Sequence, residues 1–350
     1  MSNESCKFAS TAEWEDRLNT LIRSRGGKIT PAEFQKIVNV VFHDVEAASY
    51  DRLHLEMWHS LAPVFGLLAD RVAFHFSSAR DIVLTDVGCG TGLATEMLLK
   101  EMDCGKFKQL TMVDTSGEML SRCKDRARGW QVPAEFHCGM IADLPTASTD
   151  IVVTSSVLHH IPDIPAFCGE ITRILRAGGI FCHLQDPRME SAQDPVLNGN
   201  CASLHDHREE LRLKWLQKPR MLRLARSAWI RFTRYRQDSY LREVNRRLIR
   251  SGVVRQALSA SEIWSVTDCH IGGLPYSADD GISTDLLKSS LPGFALDKRY
   301  TYGFFGELEY NLPNSFREEE KEMFATGSQS GLYLAAVWVK DGELPFAENS

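Results

Sequence analysis

Asp86, Gly88, Gly90 and Gly92 stand in the string Asp86-Val87-Gly88-Cys89-Gly90-Thr91-Gly92, after an apolar run and before a helical pattern. Glycines at this spacing let the chain turn tightly and let a ligand approach the main chain. The helix that follows offers unpaired N–H groups at its start. The dinucleotide fingerprint fails, because Leu93 takes its last glycine position, and no Gly-Lys-Ser/Thr phosphate loop occurs. A carboxylate at Asp86 disfavours a pyrophosphate and suits an ammonium group. Asp114 ends the next apolar run, with Thr115 after it, and an acid there accepts both hydroxyls of a ribose. Beyond a third run, the backbone of Gly139-Met140-Ile141-Ala142-Asp143-Leu144-Pro145 can edge a flat base, with Met140 and Ile141 as apolar walls.

A second set of residues could move protons. His159 and His160 follow a fourth run that ends at Ser155, and an imidazole near its ordinary pKa can take a proton from a hydroxyl. His159 is the candidate base; His160 reads as structural. His183 falls inside a fifth run and reads as a core residue. Asp186 and Arg188 follow that run and could position a polar substrate. Upstream, His43, Asp44, Glu46, Tyr50, Asp51 and His54 crowd a predicted helix edge without a familiar metal-ligand spacing, so no metal is expected.

The elements that must hold these groups are legible in the hydrophobic period. Short strand-like runs at 82–87, 110–113, 134–138, 150–155 and 180–184, the first rich in β-branched residues, alternate with helical stretches at 93–102, 117–128 and 164–175. That alternation implies βαβ units and a parallel sheet covered on both faces. Residues 1–78 read as helical, with Thr30-Pro31-Ala32-Glu33 as a helix start. The α/β pattern resumes with a helix at 283–291 and strands at 294–301 and 331–340, around a second insertion at 307–330.

Between these parts, residues 188–256 contain no convincing strand and carry sixteen Arg and Lys against seven Asp and Glu, in a chain of net charge −6. This stretch reads as an inserted basic helical cap. Trp215, Trp229, Phe232 and Tyr235 within it suit an apolar substrate lid, and its charge suits an acidic partner. Gly272-Gly273-Leu274-Pro275-Tyr276 beyond it is a loop that could line a pocket.

The composition, 43% hydrophobic and 25% charged over 350 residues, excludes a disordered chain and a small disulfide scaffold. Nine cysteines without a Cys-x-x-Cys pair suggest neither a disulfide framework nor a zinc ribbon. No membrane span or leader pattern is visible, so the expectation is a cytoplasmic protein.

A ligand with an ammonium, a ribose and a base but no phosphate requirement is met by S-adenosylmethionine. The glycine turn at 86–92, Asp114, the 139–145 segment, Ser155-Ser156-Val157-Leu158-His159-His160-Ile161-Pro162-Asp163 and Leu175-Arg176-Ala177-Gly178-Gly179 together resemble the class I S-adenosylmethionine-dependent methyltransferases, across about residues 80–188. The resemblance implies a Rossmann-like α/β fold with a seven-stranded, mostly parallel sheet, an N-terminal helical extension and an inserted helical cap. It implies cofactor contacts from Tyr50, Asp86, Gly88, Gly90, Gly92, Asp114, Thr115, Met140, Ile141 and Ser155, with Tyr50-Asp51 in a lid. This family often has an acid where Met140 stands, so Asp143 is a substitute candidate. Boundaries fall at 1–78 for the extension, 79–187 and 257–342 for the core, and 188–256 for the cap.

The expected activity is methyl transfer to a small organic acceptor, a specialised metabolite, at oxygen. Its rivals are methylation of RNA or protein through the basic residues 208–255, and a non-methylating enzyme or regulatory protein that keeps the cofactor pocket. Oligomeric state leaves no mark in the sequence.

Overall fold

The structure is a computed structural model that describes residues 11–216 and 240–342. Seven strands form one sheet in the order β3-β2-β1-β4-β5-β7-β6. These are β1 (Ile82–Val87), β2 (Phe107–Asp114), β3 (Ala134–Cys138), β4 (Thr149–Ser155), β5 (Leu175–Pro187), β6 (Phe294–Tyr302) and β7 (Tyr333–Lys340). The first five run parallel, and β7 pairs antiparallel with both β5 and β6. The strand order reverses between β1 and its neighbour β4. Open α/β sheets place ligands at such a point.

One sheet face buries Leu84, Met112, Ile151 and Cys182 under α5 (Ala62–His75) and α6 (Leu93–Glu101). The other buries Val87, Val152, Phe181 and Trp338 under α8 (Ile164–Ile174) and α12 (Thr284–Ser290). Strands buried on both faces explain the unbroken apolar runs in the sequence. β5 is longer than expected: it begins at Leu175, and its register against β4 shifts before Ile180, where Gly178 takes φ 72. Gly179 has no room for a side chain, since an added Cβ would lie 2.9 Å from the Asp150 carbonyl.

The helices outside the sheet divide differently from the sequence boundaries. α1 (Thr11–Ser24) and α2 (Pro31–Glu46) share one apolar core with residues 240–250, here α10, and with α11 (Ala260–Thr267). Leu18, Phe34, Val38, Phe42, Val244, Leu248, Ile263 and Val266 fill it. Residues 257–269 therefore pack with the N-terminal helices rather than on the sheet. The Arg25–Glu262 ion pair, 2.6 Å, ties the two together. The start of α2 is fixed by the predicted capping box between Thr30 and Glu33, with Pro31 in the first turn.

α9 (Pro195–Leu216) packs elsewhere. Leu204 meets Phe304, Phe305, Leu312 and Phe316, the last on α13 (Asn314–Ala325). Trp229, Phe232 and Tyr235 lie outside the described residues, as does the side chain of Trp215. Among the described residues no helix is long and apolar enough to cross a membrane.

Candidate functional site

Two cavities meet above the C-terminal ends of β1, β2, β4 and β5. The smaller, about 180 Å³, is lined by the glycine turn, the β2 tip and the β3 loop: Gly88, Gly90, Asp114, Thr115, Gly139, Met140, Ile141 and Ser155 all face it. The larger, about 700 Å³, is roofed by helical residues Phe42, Glu46, Tyr50, His54 and Trp264 and floored by His159 and Gln185. His43, Tyr50, Ser156 and His160 border both, so these four side chains form the wall between the chambers.

The smaller cavity is built by backbone geometry. Gly88 has φ +70, and an added Cβ would lie 2.5 Å from Val157 Cγ2. Gly90 has φ +53, and a Cβ there would meet nothing within 4 Å, which leaves the main chain open to a ligand. Asp114 cross-links two loops: its Oδ2 accepts the Gly90 N–H at 2.8 Å and its Oδ1 the Ser116 N–H at 2.8 Å. Burial raises the pKa of this acid, while those backbone donors favour its charged form. Each carboxylate oxygen keeps a second acceptor direction.

The Tyr50-Asp51 segment is tied to the glycine turn. Asp51, in α3 (Tyr50–Leu53), accepts the Thr91 hydroxyl at 2.7 Å and pairs with Arg126 of α7 (Gly117–Ala127) at 2.5 Å. Arg126 in turn donates to the Thr91 carbonyl. Asp44 does not join a metal cluster; it accepts the Ser116 hydroxyl at 2.5 Å and so anchors α2 to the β2 tip.

Three expectations are corrected. Asp86 does not face the cavity. It alternates with Leu84 on one face of β1 and is fully buried, with its Oδ2 accepting the Thr95 hydroxyl at 2.7 Å. Burial pushes its pKa up to about 7. Gly92 is not on the wall either; it allows the start of α6 to pass Cys123 and Trp130 of the neighbouring layer. Asp143 does not line the smaller cavity; its Oδ2 accepts the Met140 N–H at 2.8 Å, closing its own turn.

The larger cavity contains the proton chemistry. His159 Nδ1 lies 2.8 Å from Asp186 Oδ1, which also accepts the His159 backbone N–H. Asp186 is fully buried, so it positions His159 rather than a substrate. The pairing assigns the proton to Nδ1 and leaves Nε2, which has no hydrogen bond among the described residues, as the lone-pair nitrogen. Burial, with the neighbouring His160, lowers the His159 pKa below its ordinary value. The rings of His159 and His160 are 4.1 Å apart.

His160 behaves oppositely. Burial opposes its charge, but Asp268 at 3.2 Å and the Thr267 carbonyl at 2.8 Å raise its pKa. His159, His160 and Asp268 bring potential ligand atoms within 4.8 Å of one another, the described residues' one such group. Both Nδ1 atoms are already committed to hydrogen bonds, which leaves the Nε2 atoms and the Asp268 carboxylate as the open donors of this group.

The pairings of other wall residues were not visible in the sequence. Glu46 is buried between His43 at 3.5 Å and His54 at 3.1 Å. Burial works against its charge, yet those histidines hold its pKa down at about 2. His54, also paired with Glu56, is held up at about 9 against the opposing effect of burial. Ser156 and Gln185 sit at the tips of β4 and β5 with φ of 57 and 66. Such left-handed residues are held by their surroundings and cluster at functional sites. The Tyr302 hydroxyl accepts the Gln185 N–H and donates to its Oε1. Arg188 is buried, donating to the Gly331 carbonyl and pairing with Asp194, so it too is structural.

This architecture has known relatives. Residues 85–183 match the family described as Methyltransferase domain. The chain carries a class I S-adenosylmethionine-dependent methyltransferase domain. The domain is 24% identical over 154 residues to a ubiquinone biosynthesis O-methyltransferase of Rhodopseudomonas palustris, covering 39% of this chain and 59% of that protein. A longer stretch, 266 residues and 71% of this chain, is 26% identical to the non-reducing polyketide synthase prhL of Penicillium brasilianum, of which it spans 10%. The chain thus spans less than two thirds of either relative. A geranyl diphosphate C-methyltransferase of Streptomyces coelicolor A3(2) aligns over 79% of this chain and 76% of its own, at 11% identity and a TM-score of 0.40. The methyltransferase domain's cofactor is S-adenosylmethionine. The smaller cavity fits it: an acid with spare acceptor directions, an open glycine backbone, apolar Met140 and Ile141, and no Lys or Arg among the lining residues.

Proposed function

We propose that the protein is a methyltransferase that moves a methyl group from S-adenosylmethionine to a small organic acceptor bearing an acidic proton, with an enolic or phenolic oxygen as the acceptor atom. When bound, the cofactor supplies an electrophilic methyl group on a sulfonium. Asp114 would hold its ribose hydroxyls, the Gly88–Gly90 backbone would edge it, Tyr50 and Ser155 would close it in, and Thr115, Met140 and Ile141 would flank its base.

The observation that carries the reading is the Asp186–His159 pair at the floor of a 700 Å³ cavity joined to the cofactor chamber. His159 Nε2 takes the acceptor's proton as the oxygen gains the methyl. Asp186 fixes the ring and balances the imidazolium charge that forms. The wall residues His43, Tyr50, Ser156 and His160 set the approach and exclude water. No metal is needed for these steps.

The alignment over 71% of the chain with a polyketide synthase supports an acceptor of polyketide type, a specialised metabolite. Such compounds carry both enolic hydroxyls and carbons activated between carbonyls, so C-methylation by the same base is the second reading. The 700 Å³ volume of the larger cavity suits a small molecule. The test is transfer of an isotope-labelled methyl from S-adenosylmethionine to a panel of phenols and β-dicarbonyl compounds. Labelled product from wild type and its loss in His159→Ala are expected. No labelled product from any acceptor, despite cofactor binding, would contradict the reading.

A further inference from the structure

Beneath the Asp186–His159 pair lies a set of polar atoms that the mechanism above does not use. His183 is fully buried in β5, and neither ring nitrogen has a hydrogen bond among the described residues. Asp186 Oδ2 is likewise buried and unpartnered, while Oδ1 takes both bonds from His159. Thr154, the cross-strand partner of His183 on β4, also has an unpartnered buried hydroxyl. Buried groups of this kind are normally satisfied, and each exception asks for an explanation. Packing alone gives none, because Phe181, Val152 and Ala336 make this an apolar face where a residue without nitrogens would serve.

The local backbone brings the two orphans together. Strand alternation would send positions 183 and 186 to opposite faces. The register of β5 against β7 shifts between His183 and Asp186, and Gln185 between them takes φ 66. His183 Nδ1 thereby comes to 4.0 Å from Asp186 Oδ2. That gap is too long for a hydrogen bond, but one bridging water or a small rotation of either side chain closes it.

We propose that His183 is a positioning residue for the reaction: its Nδ1–H is directed at Asp186 Oδ2, which keeps that carboxylate turned so that Oδ1 holds His159 with Nε2 facing the acceptor. The chain would run His183, Asp186, His159, acceptor. Burial depresses the His183 pKa to about 4, in keeping with a neutral ring that donates one proton and carries no charge. No proton leaves His183 during turnover. The inference rests on the methyltransferase reading for its kinetic part only.

Two measurements test it. Imidazole nitrogen NMR of the full-length protein without acceptor reads the tautomers directly, with His183→Phe used for assignment. A protonated Nδ1 on His183 is expected, and a protonated Nε2 with a bare Nδ1 would overturn the inference. Kinetics supply the second. His183→Phe keeps the ring but loses the donor, while His183→Asn keeps an N–H near the Nδ1 position. The phenylalanine variant should lose about tenfold in kcat with unchanged cofactor affinity. Its acid limb should also move to higher pH, because a less compensated Asp186 attracts the His159 proton more strongly. His160 and Asp268, which also face His159, are the same in all variants. Asn should restore most of the rate. Wild-type kcat and pH profile in His183→Phe would refute the role, as would equal damage in both variants with no shift of the limb. If His183→Phe does not fold, the wild-type tautomer decides, with assignment from His183→Asn. A wild type that methylates no acceptor would sink the proposed activity while leaving the tautomer result standing.

Discussion

Asp186 Oδ1 accepts two hydrogen bonds from one residue, the backbone N–H and the Nδ1–H of His159, at 3.1 and 2.8 Å. The double attachment fixes both the turn after β4 and the orientation of the ring. Removing the base by His159→Ala should lower kcat by about 10²- to 10⁴-fold, the usual worth of a positioned general base. Asp186→Asn should cost about 10²-fold or more, because an amide favours the opposite tautomer. Cofactor affinity, followed by calorimetry, should stay within about threefold in both, since neither residue lines the smaller cavity.

The pH dependence follows from His159. Its pKa is lowered by burial and by His160, so the ring is the neutral base throughout the neutral range. The rate should be flat around pH 7 and fall only below the ordinary histidine range. A profile that falls already between pH 7 and 8 would point to a different base.

Glu46 and His54 make stability depend on pH in a bounded way. His54 is raised from 6.5 to about 9 in the folded chain, so its contribution is full below 6.5 and is lost as pH rises through 9. Glu46 is lowered from 4.5 to about 2, so its contribution is full above 4.5 and is lost as pH falls through 2. His54→Gln should therefore flatten the alkaline decline in melting temperature between pH 6.5 and 9. An unchanged decline would show that another group governs it.

Gly88→Ala tests the backbone of the smaller cavity. The new Cβ would lie 2.5 Å from Val157 Cγ2 at a φ of +70. A strained non-glycine residue costs on the order of 1–3 kcal/mol. A lower melting temperature with loss of cofactor binding is expected, and wild-type values for both would contradict the geometry.

Much of this was legible in the chain. β1, β4 and β5 show as apolar runs because strands buried on both faces need apolar residues at every position. The glycine turn and Asp114 show through spacing. Asp86 was misread because motif position was weighed above strand alternation, which puts it with Leu84 under α6. The His159–Asp186 pair could not be read from separation in sequence, since β4–β5 pairing joins them across 27 residues. The Glu46–His54–Glu56 network was hidden for a related reason: its members show their partners only once α2 ends and the chain reverses. Gln185 carries no sequence sign of its left-handed backbone, which glycine would normally signal.

The central claim is that the smaller cavity holds a sulfonium nucleoside through Asp114. Isothermal calorimetry with S-adenosylmethionine, on wild type and on Asp114→Ala, tests it most directly. Saturable binding by wild type, weakened at least about tenfold by the substitution, is predicted from the loss of hydrogen bonds to a charged group. Equal affinity in both proteins, or no heat with S-adenosylmethionine beside tight binding of a nicotinamide dinucleotide, would contradict the account.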